Sequence, residues 1–283
     1  MTEPAPILLI GAARSGTKFL RSLLAAGAGV KAVPYDVNYV WRYGHEDAPD
    51  DRLDPAEMTQ AQRAFIRKTI PQLAKAGPRD VVVEKTVSNT LRIPYAAKAF
   101  PEARFVHLIR DGRDVAESAM RQWQAPPDWS ALFEKLRGMP LANLGYVAWF
   151  AKNFVSGMAR GRGGGHVWGP RFAGIEDFAA THTLAETCAA QWAQSVTQAS
   201  ADLAHLPEGQ VYEIRYEDLI ADARALRTLA EALDLPEPES SVAALKARLS
   251  PPAPALWQDL PEADRAAITR ICGPVLTAKG YLT

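Results

Sequence analysis

The strongest constraint lies at the start of the chain, where residues 7–20 read I-L-L-I-G-A-A-R-S-G-T-K-F-L. Four apolar residues, Ile7 to Ile10, run straight into a turn of small residues. The turn runs into a helical pattern, Phe19-Leu20-Arg21-Ser22-Leu23-Leu24. A buried strand, a tight loop and a helix start, in that order, make an anion cradle, because the loop N–H groups and the positive helix end point at one place. A nucleotide phosphate is the expected occupant. The loop that binds nucleoside triphosphates reads G-x-x-x-x-G-K-[ST], its lysine reaching the outer phosphates and the next hydroxyl holding magnesium. Gly11 and Gly16 keep that spacing, but Thr17 and Lys18 come in reversed order, and Arg14 stands two residues before Gly16. Such a loop suits a single 5′-phosphate carrying one further anionic group, bound without metal.

A second anion signal follows. Val81-Val82-Val83-Glu84 reads as a buried strand, then Lys85-Thr86, then a helix over about 90–100 stopped by Pro101. Ala103 to Ile109 is a third strand, ending in Arg110-Asp111-Gly112-Arg113-Asp114 and a helix over 113–122, which Asp111 or Asp114 can cap. Arg110 therefore stands at the carboxyl end of a strand, where open α/β sheets bind ligands. Ser118 follows eight residues later, one to two helical turns in. A guanidinium and a hydroxyl so placed can grip one phosphate from two sides.

The first segment resembles the 5′-phosphosulfate loop of sulfotransferases that use 3′-phosphoadenosine-5′-phosphosulfate, whose bacterial and Golgi branches commonly read P-R-S-G-T-T. Arg14-Ser15-Gly16-Thr17 match it, with Ala13 in place of proline and Lys18 in place of the second threonine. Arg110 and Ser118 match the family's 3′-phosphate motif, usually written R-D-P-R-D, with Gly112 standing for the proline. Glu84-Lys85-Thr86 resembles its D-K-T-P segment, and Val211 to Leu219 its V-R-Y-E-D-L strand. The resemblance covers residues 7–30, 81–125 and 185–283.

The resemblance implies roles. Arg14, Ser15, Gly16, Thr17 and Lys18 would hold the 5′-phosphosulfate, and Arg110 with Ser118 the 3′-phosphate. Lys18 and Lys85 would be the cations beside the leaving phosphate. Tyr216 either reaches the nucleotide or packs in the core. Relatives that modify protein tyrosines or glycans place a glutamate base some twenty residues after the loop arginine. Asp36 lies 22 residues after Arg14 and is the expected base. His45 and Glu46 are the reserves, whereas His107, between Val106 and Leu108, reads as packed. The implied reaction moves a sulfuryl group to a hydroxyl, first a carbohydrate or glycolipid hydroxyl and next a small phenol or lipid. Tyr35, Tyr39, Trp41, Tyr43, Trp123, Trp129 and Trp168 either line a sugar groove or belong to the core. Two rival readings stand: a kinase with a degenerate phosphate loop, and a nucleotide-binding protein without catalysis.

At 283 residues and 48% hydrophobic, the chain suits one α/β domain with helical insertions, a mainly parallel sheet flanked by helices. Residues 123–184, rich in tryptophan, proline and glycine, are expected as an insertion serving as an acceptor-side lid. Lys+Arg and Asp+Glu both number 32, so a nucleic-acid partner is not expected. Positive charge is local, at Arg14, Lys18, Lys85, Arg110 and Arg113, which fits a small polyanion. No apolar stretch reaches about 18 residues, so no membrane span is expected. The start of the chain lacks the pattern of a signal peptide. Cys188 and Cys272 read as buried thiols, so a cytoplasmic setting is expected.

Overall fold

The computed structural model describes residues 4–124, 169–248 and 256–282. Five parallel strands form one sheet: β1 (Ile7–Ile10), β2 (Val30–Ala32), β3 (Val81–Glu84), β4 (Arg104–Ile109) and β5 (Val211–Arg215), in the order β2-β3-β1-β4-β5. The central strands are apolar on both faces, as parallel strands covered on both sides must be. Leu8, Ile10, Val82 and Phe105 enter one core cluster. Ile7, Leu9, Val81, Val83, Val106 and Leu108 enter the other.

The helices are α1 (Thr17–Leu24), α2 (Asn38–Trp41), α3 (Gln60–Leu73), α4 (Ile93–Ala99), α5 (Gly112–Gln124), α6 (Ile175–Thr181), α7 (Leu184–Leu203), α8 (Tyr216–Ala221), α9 (Ala223–Ala232), α10 (Pro238–Lys246) and α11 (Glu262–Ala278). A third cluster joins α5, α7 and α11 through Val115, Ala119, Trp192, Val196, Ile268 and Leu276. The two cysteines, Cys188 and Cys272, lie in it as free, buried thiols, each pushed up to about 12 mainly by burial.

The chain leaves β1 for β2, returns through β3, then crosses to β4 on the far side of β1. The reversal of winding direction at β1 opens a crevice at the carboxyl ends of β3, β1 and β4. The residues expected at the phosphate sites lie on the loops leaving those ends or in the first two turns of the helices that follow, with Tyr216 at the start of α8 after β5.

Some boundaries differ from the sequence reading. In sequence, Asp54-Pro55-Ala56-Glu57 carries the signals of a helix start, an N-cap, a first-turn proline and a glutamate, for a helix running to about Ala76. Asp54 caps only a single 3-10 turn, Pro55–Glu57, by accepting from Ala56 N. Met58 is extended, and α3 starts after Thr59, whose hydroxyl and the Gln62 side chain cap each other's backbone. In sequence the stretch 222–234 reads as one helix; α9 is preceded by a separate turn, α8, and Asp222 is extended between them and caps the Arg224 N–H. Of the expected insertion 123–184, residues 125–168 lie outside the described residues, with Trp129 and Trp168.

Candidate active site

The loop between β1 and α1 turns sharply. Gly16 has φ 92° and Arg14 has φ 72°, a left-handed conformation uncommon outside glycine. A Cβ on Gly16 would lie 2.5 Å from the Tyr216 ring, so the loop and the start of α8 are in direct contact. No side chain caps the N-terminus of α1, leaving its N–H groups to an anion. The Ser15 hydroxyl beside it is buried and without a hydrogen-bond partner among the described residues.

The arginine–serine pair meets this loop. Arg14 Nε donates to Ser118 Oγ at 2.9 Å. Arg110 lies over the Tyr216 ring, 4.7 Å from its centroid, and 3.5 Å from Asp114. Tyr216 thus touches both segments, and it also packs against the core cluster that α1 joins. Burial pushes the Arg14 guanidinium below its usual range, helped by the charges of Arg121 and Arg110. Three guanidinium groups therefore share one neighbourhood. Arg110 Nε is buried and, like Ser15 Oγ, has no hydrogen-bond partner among the described residues, and both can be met by phosphate oxygens. The donor set, cationic and uncapped, fits a nucleotide with anionic groups at both ends.

The turn after β4 is held from outside. Asp111 caps α5 by accepting from Arg113 N at 2.9 Å. Arg113 is also paired with Asp111 and lies 4.6 Å above Trp257, so its charge is committed to the turn. Glu217 accepts from Asp111 N at 3.0 Å and from the Tyr281 hydroxyl at 2.8 Å. A Cβ on Gly112 would lie 2.5 Å from the Trp192 indole, which explains why this chain has glycine where the family pattern has proline.

Lys85 leaves β3 into the same crevice and is almost wholly buried, its ammonium on the Asp36 carboxylate. Burial pushes the lysine below its usual range; Asp36 opposes this, and the charges of Arg21 and Lys18 add to it. Asp36 itself remains about one-third exposed, so one side of its carboxylate faces solvent. Lys18 is exposed in the first turn of α1.

The reserve bases lie elsewhere. His45 stands edge-on to Tyr95 and lines a cavity of about 520 Å³ with Leu91, Arg92 and Gln198. Glu46 accepts from Gly44 N at 3.0 Å. His107 is buried in β4, its Nδ1 3.2 Å from Glu213, which holds with the packed role expected of it. Among the aromatic groove candidates, Tyr39 and Trp41 are fully buried, Trp41 edge-on to Phe100. Tyr43 stacks on Phe65 at 4.0 Å, and Tyr35 and Trp123 pack against core clusters. Tyr39 and Trp41 belong to the core, whereas Tyr35, Tyr43 and Trp123 are half-buried.

Two residues near the site had no assigned part in the sequence reading. Arg121, three residues after Ser118 on α5, pairs with Glu117 at 2.6 Å and acts on Arg14. Helical spacing from Ser118 would have found it. Glu84, quoted only as a letter of the E-K-T segment, is fully buried and accepts from Thr86 and Asn89.

Comparison with known proteins agrees with this geometry. The model of a family described as "Sulfotransferase family" matches residues 6–159 and 169–239. Protein-tyrosine sulfotransferase 1 of Danio rerio is 28% identical over 125 residues, 40% of this chain and 35% of that protein. The Mus musculus protein of the same name is 27% identical over 125 residues, 40% of this chain and 33% of its own. The matched part thus spans about a third of the length of these curated relatives. Among solved structures, sulfotransferase STF9 from Mycobacterium avium gives a TM-score of 0.53 at 12% identity, covering 98% of this chain and 77% of that one. Sulfotransferase STF1 from Mycobacterium tuberculosis H37Rv gives 0.51 at 13%, covering 96% and 76%. At such identities the structural likeness shows the fold, whereas the family match runs through every site residue from Arg14 to Tyr216. This chain belongs to the sulfotransferase family.

Proposed function

We propose that this protein transfers a sulfuryl group from 3′-phosphoadenosine-5′-phosphosulfate to an acceptor hydroxyl. The observation that carries the reading is the 2.9 Å contact between Arg14 and Ser118. It joins the 5′ loop and the arginine–serine pair in one crevice, so one small nucleotide can span both. The loop from Arg14 to Lys18 and the α1 N-terminus hold the 5′ end; Arg110 and Ser118 hold the 3′-phosphate. In the transfer, the acceptor oxygen bonds to sulfur as the bond from sulfur to the 5′-phosphate oxygen breaks. Asp36 takes the acceptor proton. That proton neutralises the partner of Lys85, which leaves the lysine charge free for the negative charge growing on the departing phosphate. Lys18 adds a second cation at the same end.

The acceptor is a carbohydrate or glycolipid hydroxyl. A second reading, a phenolic hydroxyl, is favoured by the curated relatives, whose name specifies protein tyrosine. The two free, buried thiols support a cytoplasmic setting. The insertion around 123–184 is assigned to the acceptor side. Calorimetry with adenosine 3′,5′-bisphosphate, AMP and Mg-ATP tests the donor. Tight binding of the bisphosphate that persists with a chelator supports the reading; preference for Mg-ATP overturns it in favour of a kinase. Labelled donor offered to oligosaccharides, glycolipids, tyrosyl peptides and simple phenols identifies the acceptor. Asp36→Asn is expected to lower turnover at least tenfold, about 1.4 kcal/mol of barrier, with bisphosphate affinity nearly unchanged. Full activity would move the base to His45 or Glu46.

A further inference from the structure

Residues 36–38 are each held by a residue from the segment that follows β3. Lys85 holds the Asp36 carboxylate. Thr86 Oγ1 accepts from Val37 N at 2.9 Å. Arg92 donates to Asn38 Oδ1. Glu84 stands behind two of these three. Its Oε1 accepts the Thr86 hydroxyl proton at 2.6 Å. Its Oε2 accepts from Asn89 Nδ2 at 3.1 Å, and Asn89 Oδ1 accepts from Arg92 Nε at 2.9 Å. The two carboxylate oxygens therefore start two relays, one ending on Val37 and one on Asn38.

We propose that Glu84 is a positioning residue for Asp36, anchoring both relays that fix the segment carrying it. This rests on the reading of Asp36 as the base. A hydroxyl has one proton. Given to Glu84, it leaves the Thr86 lone pairs turned toward the Val37 N–H. Without the carboxylate the hydroxyl is free to rotate, and Asn89 loses the acceptor that orients its amide. Glu84, Thr86 and Asn89 are at most 1% exposed, so water does not compete for these bonds. A fold that needed only a filled space here would be served better by an apolar side chain, because a buried carboxylate is costly to desolvate. The ionised carboxylate, the form the acid takes as pH rises through its burial-raised pKa of about 7, sets the direction of both relays, so they are read above that pH. Asp36 is thereby clamped from two sides: its side chain by Lys85, its following backbone by Thr86 and Arg92.

The test uses the full chain with Glu84→Gln, Thr86→Val, Thr86→Ser and Asp36→Asn. The first readout is hydrogen exchange at the Val37 amide by NMR. Exchange is expected to quicken about tenfold or more in Thr86→Val and Glu84→Gln, and to return to the wild-type rate in Thr86→Ser. The glutamine keeps the volume but turns an amide donor on one relay. The second readout is release of labelled sulfate from labelled donor to water. In Glu84→Gln the turnover number is expected to fall about tenfold with the donor KM unchanged. Glu84→Gln added to Asp36→Asn is expected to cause no further loss. Unchanged Val37 exchange in Glu84→Gln overturns the proposal, as do losses from Glu84→Gln and Asp36→Asn that multiply. Wild-type sulfate release in Asp36→Asn sinks the base assignment instead, and the two failures are told apart by the exchange rates. If Glu84→Gln does not fold, the Thr86→Val and Thr86→Ser pair carries the same decision: Val37 exchange that stays at the wild-type rate in Thr86→Val removes the relay.

Discussion

Arg110 offers the sharpest test of which end of a nucleotide each basic group reads. Its guanidinium rests on Tyr216 and keeps a buried Nε without a hydrogen-bond partner among the described residues. Asp114, the acid paired with it among the described residues, is 3.5 Å away, a distance that makes a weak pair of at most about 1 kcal/mol. A phosphate therefore meets a guanidinium with little to give up. A charged hydrogen bond contributes about 1.5–3 kcal/mol. Arg110→Ala removes that bond and also bares Asp114 to the incoming dianion. Burial raises Asp114 above the usual aspartate range and Arg110 holds it down. The expected loss for adenosine 3′,5′-bisphosphate is about 2–3 kcal/mol, or about 30–150-fold in Kd. AMP lacks the 3′-phosphate and should lose less than about threefold. Arg110→Lys keeps a charge without the planar fork and should fall between. Titration calorimetry at low and high salt reads all of this, and the gap between the two ligands should shrink as salt rises. Equal losses for both ligands would refute the reasoning, since Arg110 would then serve the 5′ end or the loop as a whole.

Gly16→Ala should do the opposite, because its left-handed backbone and contact with Tyr216 belong to the 5′ loop; bisphosphate and AMP should both weaken about tenfold, and an AMP affinity left intact would remove the loop from the 5′-phosphate. Gly112→Ala drives a Cβ into the Trp192 indole and should cost about 1–3 kcal/mol of stability by overpacking, read as a lower urea midpoint; an unchanged midpoint would show that the ring has room to move. Burial raises Glu84 from 4.5 to about 7, against the hydrogen bond from Thr86. The folded state then holds a proton that the unfolded state has lost, so this residue's contribution to stability falls as pH rises from about 4.5 to about 7, by roughly 3 kcal/mol in all. Glu84→Gln should lack that fall; parallel urea-unfolding curves for the two proteins from pH 4.5 to 7.5 would contradict it.

The sheet was legible because its central strands are buried on both faces and so appear as unbroken apolar runs, Ile7 to Ile10 and Val81 to Val83 among them. Helix ends were legible only where a single cap was present. Between Asp54 and Gln62 two start signals compete within nine residues, and both act. The first ends after one 3-10 turn because Met58 is extended, and the reciprocal bonds of Thr59 and Gln62 begin the long helix. The aromatic residues after β2 stayed undecided between groove and core for a different reason. Tyr39 and Trp41 lie on one turn of helix and no local pattern says which way that turn faces; packing against α3 and α4 turns them inward.

The site was legible as far as its charges are carried by loops. Arg14, Lys85 and Arg110 each follow a strand, and neighbouring parallel strands bring their carboxyl ends together whatever lies between them in sequence. What remained hidden depends on contacts made across the fold. Gly112 looked like a departure from the family's proline, yet Trp192 on α7 occupies the space any side chain would need. The departure and the tryptophan form one feature, visible only when both are seen. Glu84 is the same case with larger consequence. In sequence it is only the last residue of a buried strand, but the fold sends the neighbouring lysine to Asp36 and closes the acid inside with Thr86 and Asn89. Neighbours in a strand point to opposite faces, so adjacency in sequence argued against a shared role. The shared role is restored through the loop that carries Asp36, which both residues reach by separate routes.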